Sequence, residues 1–257
     1  MHGRFRGAVE RRRVFSQNFL IDPSVVRRVV GVAGLRGTEL VVEPGPGEGA
    51  LTRCLARGAG RVLAYERDGR LAERLARRAP PNVTVGHADF RTVAPPGEEF
   101  HLVGNIPFSV TAGIVAWCLA APALRAATMV TQLEYARKRT GGYRRWTLLT
   151  VSTWPEWDWS FHGSVPRGAF RPVPGVDAAV MRLVRRERRL LPPERMRSWR
   201  RLVETGFTGR GGSLAASLAG VHSRRRVLAA FARAGLDPRV PVGHVSPAEW
   251  LTVFAHL

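Results

Sequence analysis

The chain has 257 residues, of which 45% are hydrophobic, and its 40 Lys and Arg against 20 Asp and Glu give a formal net charge of +20 at pH 7. That size allows one full domain and a smaller second one, and no run of 18 uncharged apolar residues exists to span a bilayer, so a soluble protein is expected. The charge calls for a polyanionic partner, nucleic acid ahead of a membrane surface, while Cys54 and Cys118, with no CxxC and no His cluster at ligand spacing, read as free thiols of a reducing cytoplasm and not as metal ligands.

Met1 to Arg13 carries five arginines and two glycines. It reads as a mobile basic arm, either solvated or in contact with RNA. No apolar h-region precedes Phe15, so a secretory signal is not expected. Ser16-Gln17-Asn18-Phe19-Leu20 then leads into a helix that Asp22 caps and Pro23 opens, with Val25, Val26, Val29, Val30 and Val32 as its buried stripe.

Glu39 to Glu43 reads as a short strand, Pro44-Gly45-Pro46-Gly47-Glu48-Gly49 as a tight turn, and Ala50 to Arg57 as a helix. Such a unit lets a ligand lie against bare backbone at a helix N-terminus. The second strand, Arg61 to Glu66, ends in an acid about twenty residues past the first glycine, the spacing of a carboxylate that binds ribose hydroxyls. With Ala50 the turn also fits a dinucleotide site, so a nicotinamide enzyme stays open here. Glu43 leans instead toward a ligand with a cationic amino-acid portion, since a pyrophosphate disfavours a carboxylate there.

A helix over Asp68 to Arg78 precedes a third strand, Val83 to Val85, whose exit carries Asp89-Phe90. These two can hydrogen-bond and cover an adenine ring, although an Asp in that position also serves as a helix cap. The strand Phe100 to Gly104 delivers Asn105-Ile106-Pro107-Phe108 to the same sheet edge. Asn105 offers a side-chain carbonyl and Ile106 a backbone carbonyl held at one angle by Pro107, while Phe108 offers a face for a purine. A helix over Thr111 to Leu119 and a strand over Ala126 to Gln132 continue the alternation.

Trp154, Trp157 and Trp159 suggest the packed face of a strand more than a base-stacking platform. Phe170-Arg171-Pro172-Val173-Pro174 is a stiff loop able to bring Phe170 over a bound base, and Ala178 to Val184 reads as the last strand. Arg185 to Pro193 reads as a linker. Helices follow over Met196 to Thr205, Arg224 to Ala234 and Pro247 to Ala255, the last capped by Ser246. Arg210, Arg224, Arg225 and Arg226 form a cluster suited to phosphates.

In this order, Ser16 to Leu20, Glu43 to Gly49, Glu66, Asp89-Phe90, Asn105 to Phe108 and Phe170 to Asp177 resemble the motifs of the rRNA adenine N6-methyltransferases, most closely the Erm branch acting on 23S rRNA. The resemblance covers nearly the whole chain. It implies a Rossmann-like seven-stranded α/β sheet with a small helical domain: a basic arm over 1–14, a methyltransferase domain over 15–185 and a helical RNA-binding domain over 186–257. It implies S-adenosylmethionine as donor, bound by Gln17, Asn18, Leu20, Glu43, Gly45, Gly47, Glu66, Arg67, Asp89, Phe90 and Asn105. Asn105 and the Ile106 carbonyl would hold the target amine, with Phe108 and Phe170 clamping the adenine. The expected protein is a cytoplasmic monomer whose partner is 23S rRNA.

Phe108 stands where the family often has Tyr, and Gly175 where a lysine is common. Ser16, Asn18 and Ile106-Pro107-Phe108 favour the Erm branch over the sister branch that dimethylates small-subunit rRNA. A non-catalytic rRNA-binding assembly factor is the alternative from another class, and an Asn105 to Phe108 site has no use in a pure binder.

Overall fold

The computed structural model describes residues 18–257, so Gln17, Ser16 and the basic arm lie outside the described residues. Within that span, β1 (Phe19–Leu20) leads into α1 (Pro23–Ala33). Asp22 caps the helix by accepting from the Ser24 amide at 2.8 Å, and Gly34 ends it in the left-handed conformation. Val25, Val26, Val29 and Ala33 are buried, while Val30 and Val32 are only partly so, which makes the apolar stripe narrower than the run of valines suggests.

The next strand, β2 (Leu40–Pro44), is buried along its whole length. It is followed by α2 (Ala50–Gly58), β3 (Arg61–Glu66), α3 (Gly69–Ala76), β4 (Val83–His87), β5 (Phe100–Asn105), α4 (Thr111–Ala120) and β6 (Leu124–Gln132). These strands pair in parallel, β2 with both β3 and β5. The chain continues through α5 (Leu133–Arg139), α6 (Leu148–Thr153), β7 (Trp157–Val165), β8 (Phe170–Arg171) and β9 (Ala178–Arg185), the last antiparallel to β6. The sheet has seven strands, as the resemblance implied, in the order β4-β3-β2-β5-β6-β9-β7. Because the winding reverses between β2 and β5, their carboxyl ends flank an open crevice, the place where sheets of this kind bind ligands.

Two features of this region differ from expectation. β1 and β8 form a separate two-stranded ladder, Phe19 opposite Arg171 and Leu20 opposite Phe170. It pins the start of the described chain beside the crevice, and strands of two residues carry no readable alternation. Phe170 is 1% exposed and belongs to the apolar core with Val165, Ala169 and Val180. Its ring therefore does not cover a bound base, because the ladder turns the side chain inward.

The contacts divide the described residues into two units, residues 18–133 with 160–184, and residues 134–159 with 185–257. The second unit thus takes a stretch assigned to the first domain on sequence. The reason is Val151 of α6, which packs in the same core as Trp199 and Trp250, and the Ser152 carbonyl, which accepts from the Trp199 indole at 3.0 Å. That unit contains α7 (Met196–Gly206), α8 (Leu214–Leu218), α9 (Arg224–Ala234) and α10 (Pro247–Ala255), whose Ser246 and Glu249 close a capping box. Trp154 caps the end of α6 and not a strand, while Trp157 and Trp159 are buried at alternate positions of β7. Arg185 to Pro193 is tied down rather than free, since the Arg186 amide donates to the Glu156 carbonyl and the Leu190 amide to the Pro155 carbonyl, each at 2.9 Å. Arg210, Arg224, Arg225 and Arg226 are all exposed.

Candidate active site

The turn after β2 places Gly45, Gly47 and Gly49 at φ of 65°, 57° and 77°, where side chains with a Cβ are strained. At Gly47 a Cβ would also stand 2.6 Å from the Phe19 ring. The turn is held from below: Glu66, at the end of β3, accepts from the Gly47 amide at 2.9 Å with one oxygen and from the Asp68 amide at 2.9 Å with the other. Burial raises the Glu66 carboxyl above its ordinary value, opposed by these backbone donors.

The crevice has three connected parts that meet at Gly45. The first is lined by Pro44, Tyr65, Glu66, Arg67, Asp89 and Phe90, together with Pro107, Ser109, Val110 and Ile114. Asp89 leads a single turn, accepting from the Arg91 amide at 3.1 Å and from both Nε and Nη2 of Arg91 at 3.0 and 2.6 Å. The Arg91 guanidinium holds the Asp89 carboxyl down to about 2, so it stays an ionised acceptor at neutral pH. Phe90 is a buried wall, its ring 4.6 Å from that of Trp117, and not a mobile cover.

The second part is lined by Phe19, Leu20, Ile21, Glu43, Glu48, Arg53 and Asn105. Glu43 is 2% exposed, and its Oε2 has no hydrogen-bond partner among the described residues. Burial pushes its carboxyl up to about 8. Thr52 eases the shift from nearby without making a hydrogen bond, and the Glu66 charge adds to it. An acid in this state is an acceptor that lacks a donor, and a cationic group entering from the crevice would ionise it.

The third part is lined by Asn18, Phe19, Asn105, Ile106, Pro107 and Phe108. Asn105 ends β5 and donates through Nδ2 to the Asn18 carbonyl at 2.8 Å. With the amide nitrogen engaged, Oδ1 is the acceptor that Asn105 presents. Ile106 is fixed by its amide, which donates to the Val130 carbonyl at 3.0 Å, and Pro107 follows it at φ −56° and ψ 129°. Below the turn, Thr111 and Thr131 share a buried hydroxyl pair at 3.1 Å. Phe108 is half-buried and lines this part. The arrangement gathers two carbonyl acceptors and an aromatic face in one recess, a geometry for an amine carried on a flat ring.

Leu20, Glu43, Gly45, Glu66, Arg67, Asp89, Phe90, Asn105, Ile106, Phe108 and Asn18 thus converge on one crevice. Gly47 does not line it; it acts behind the turn through its amide. Arg91 and Phe19 were missed as site residues. For Arg91 the acid-x-Arg spacing after β4 was the available signal, whereas Phe19 was visible only as part of a motif. Among the described residues no group of His, Cys, Asp and Glu can hold a metal ion.

The family described as ribosomal RNA adenine dimethylase matches residues 8–257. An rRNA methyltransferase of Streptomyces thermotolerans is 53% identical over 252 residues, covering 97% of this chain and 84% of that protein. An rRNA adenine N-6-methyltransferase of Aeromicrobium erythreum is 51% identical over 246 residues, covering 95% of this chain and 72% of that protein. The crystal structure of the 23S rRNA methyltransferase ErmE superposes with a TM-score of 0.91 at 49% identity, covering 93% of this chain and 99% of that one.

Proposed function

The chain belongs to the ribosomal RNA adenine dimethylase family, in its Erm branch, and from that membership and the crevice we propose that it transfers methyl groups from S-adenosylmethionine to N6 of an adenine in 23S rRNA. The observation that carries the reading is the recess that joins Asn105, Ile106 and Phe108 to the crevice at Gly45.

The residues present fit the donor. Glu43, with its buried, unpartnered oxygen, would answer the donor's ammonium, Glu66 would serve its ribose, and the ionised Asp89 would accept from its adenine amine. S-adenosylmethionine supplies an electrophilic methyl on a sulfonium, so the protein need not generate one. What the chain must do is handle a weak nucleophile. The adenine amine has its lone pair delocalised into the ring, and the Asn105 and Ile106 carbonyls accept its two protons better as the nitrogen becomes tetrahedral, which favours the transition state over the ground state. Phe108 stacks on the ring and fixes its plane for in-line approach. The proton released on transfer passes to solvent water from a nitrogen already hydrogen-bonded to these carbonyls, so the scheme calls on no histidine base.

The exposed arginines of the helical unit, with the basic arm, support a phosphate-binding role on the RNA. The protein is read as a cytoplasmic monomer. Methyls on an adenine of the drug-binding exit tunnel add bulk and remove donors, and an unpaired buried partner costs about 1–3 kcal/mol before any clash; the consequence is macrolide, lincosamide and streptogramin B resistance. The test is to express the chain and its Asn105→Ala variant in a susceptible strain, map 23S methylation by primer extension and mass analysis, and compare growth on a macrolide. Unmodified 23S rRNA with equal sensitivity in both strains would refute the reading and favour a small-subunit target.

A further inference from the structure

We propose that Tyr143, remote in sequence from the crevice residues, is a stacking platform for an unpaired base of the RNA. The inference rests on the rRNA reading above and adds a second point of base contact to it.

Tyr143 lies in the segment between α5 and α6 and is 63% exposed, the most exposed aromatic residue among those described. Tyr143 and Arg144 sit one after the other at φ 59° and 52°, a backbone conformation that residues other than glycine seldom take. The loop around them is pinned. A Cβ on Gly141 would stand 2.4 Å from the Trp146 ring, and one on Gly142 would stand 2.7 Å from Cβ of Arg137. The Tyr143 hydroxyl accepts from Arg137 and donates to Glu134 at 3.3 Å. The fold thus holds an aromatic ring outward in a fixed orientation, where burial would ordinarily take it inward.

Arg137 closes one face of the ring, its guanidinium carbon 5.0 Å from the centroid. The opposite face is left for a flat ligand, and a base placed there completes a layered stack of cation, ring and base. Arg137, Lys138 and Arg139 end α5, and Arg144 and Arg145 are exposed on the other flank, against the single acid Glu134. Such a surface draws phosphates to both sides of the ring. An A-form duplex hides the faces of its bases, so the occupant is a base from a loop or bulge. Stacking of this kind tolerates any base and needs no hydrogen-bond code.

The experiment measures affinity for an rRNA fragment that the wild type methylates, using wild type, Tyr143→Phe, Tyr143→Trp and Tyr143→Leu, beside melting temperature and affinity for S-adenosylmethionine. Tyr143→Leu should bind RNA about ten- to a hundredfold more weakly, and Phe and Trp should stay within about threefold, since the ring and not the hydroxyl carries the contact. Donor affinity should not change. A set of fragments, each with one unpaired nucleotide made abasic, should contain one on which wild type and Tyr143→Leu bind equally. The platform is overturned if Leu binds as wild type does, if Phe loses as much as Leu, or if no abasic position removes the difference. Should the Leu variant melt lower, the difference between wild type and Leu across the abasic series decides, because a general loss of fold weakens every fragment alike. A wild type that methylates no rRNA would instead overturn the reading on which the platform rests.

Discussion

Glu43 offers the sharpest test of the crevice. Its carboxyl is fully buried with one oxygen unpartnered, and its pKa stands at about 8 against an ordinary value of 4.5. Between those values the folded protein keeps a proton that the unfolded chain has released. Stability contributed by this group is therefore complete below pH 4.5, falls as pH rises, and levels off above pH 8. The full gap is worth on the order of 5 kcal/mol at about 1.4 kcal/mol per unit, and roughly 3 kcal/mol of it is already lost at pH 7. Glu43→Gln keeps the shape and removes the titration. In a chain of this size each kcal/mol moves the melting temperature by about 2–4 °C, so the variant should match wild type at pH 4.5 and exceed it by roughly 10 °C at pH 8.5. Thermal melts across that range read the difference directly. The same group predicts that S-adenosylmethionine binding at pH 7 releases nearly one proton, visible as a dependence of the binding heat on buffer ionisation enthalpy and absent in Glu43→Gln. A melting difference that stays flat from pH 4.5 to 8.5 would refute the argument.

Asn105→Ala should lose about a hundredfold or more in methyl transfer while donor affinity stays within roughly threefold, because the missing acceptor serves the amine; single-turnover rates and calorimetry separate the two, and a near-normal rate would remove Asn105 from the chemistry. Gly47→Ala places a Cβ against the Phe19 ring at a φ of 57°, and should lower stability by about 1–3 kcal/mol and weaken donor binding, as denaturant melts and calorimetry would show. RNA binding should fall steeply with salt, and changing Arg224, Arg225 or Arg226 to Gln should make that slope shallower by about one for each arginine that neutralises a phosphate. A slope indifferent to all three changes would leave those arginines merely solvated.

The parts of the fold that the sequence made legible are those with strong local signals. Asp22-Pro23 and Ser246-Pro247 mark helix starts through capping chemistry, and the Pro44 to Gly49 turn announces itself by glycines that φ above zero demands. Asn105 and Glu66 were found because strands deliver their last residues to a common edge. What escaped depends on residues distant in the chain meeting in space. The β1–β8 ladder has two pairs joined across most of the first unit, and no local pattern encodes it. Phe170 was misjudged for that reason, since its motif looks alike whether the ring faces a ligand or the core. The placement of 134–159 with the helical unit follows from Val151 and Trp199, which meet only in three dimensions.

The bond from Asn105 to the Asn18 carbonyl bears on the time at which activity can begin. Asn18 is set in place by a strand whose partner, Phe170–Arg171, leaves the ribosome long after it. A nascent chain can display its glycine turn, its acids and Asn105 while the piece that orients the Asn105 amide still waits for its mate. Translation at about 5–20 residues per second makes that interval several seconds or more. The growing polypeptide thus has no finished recess until Phe170–Arg171 has emerged and paired with Phe19–Leu20.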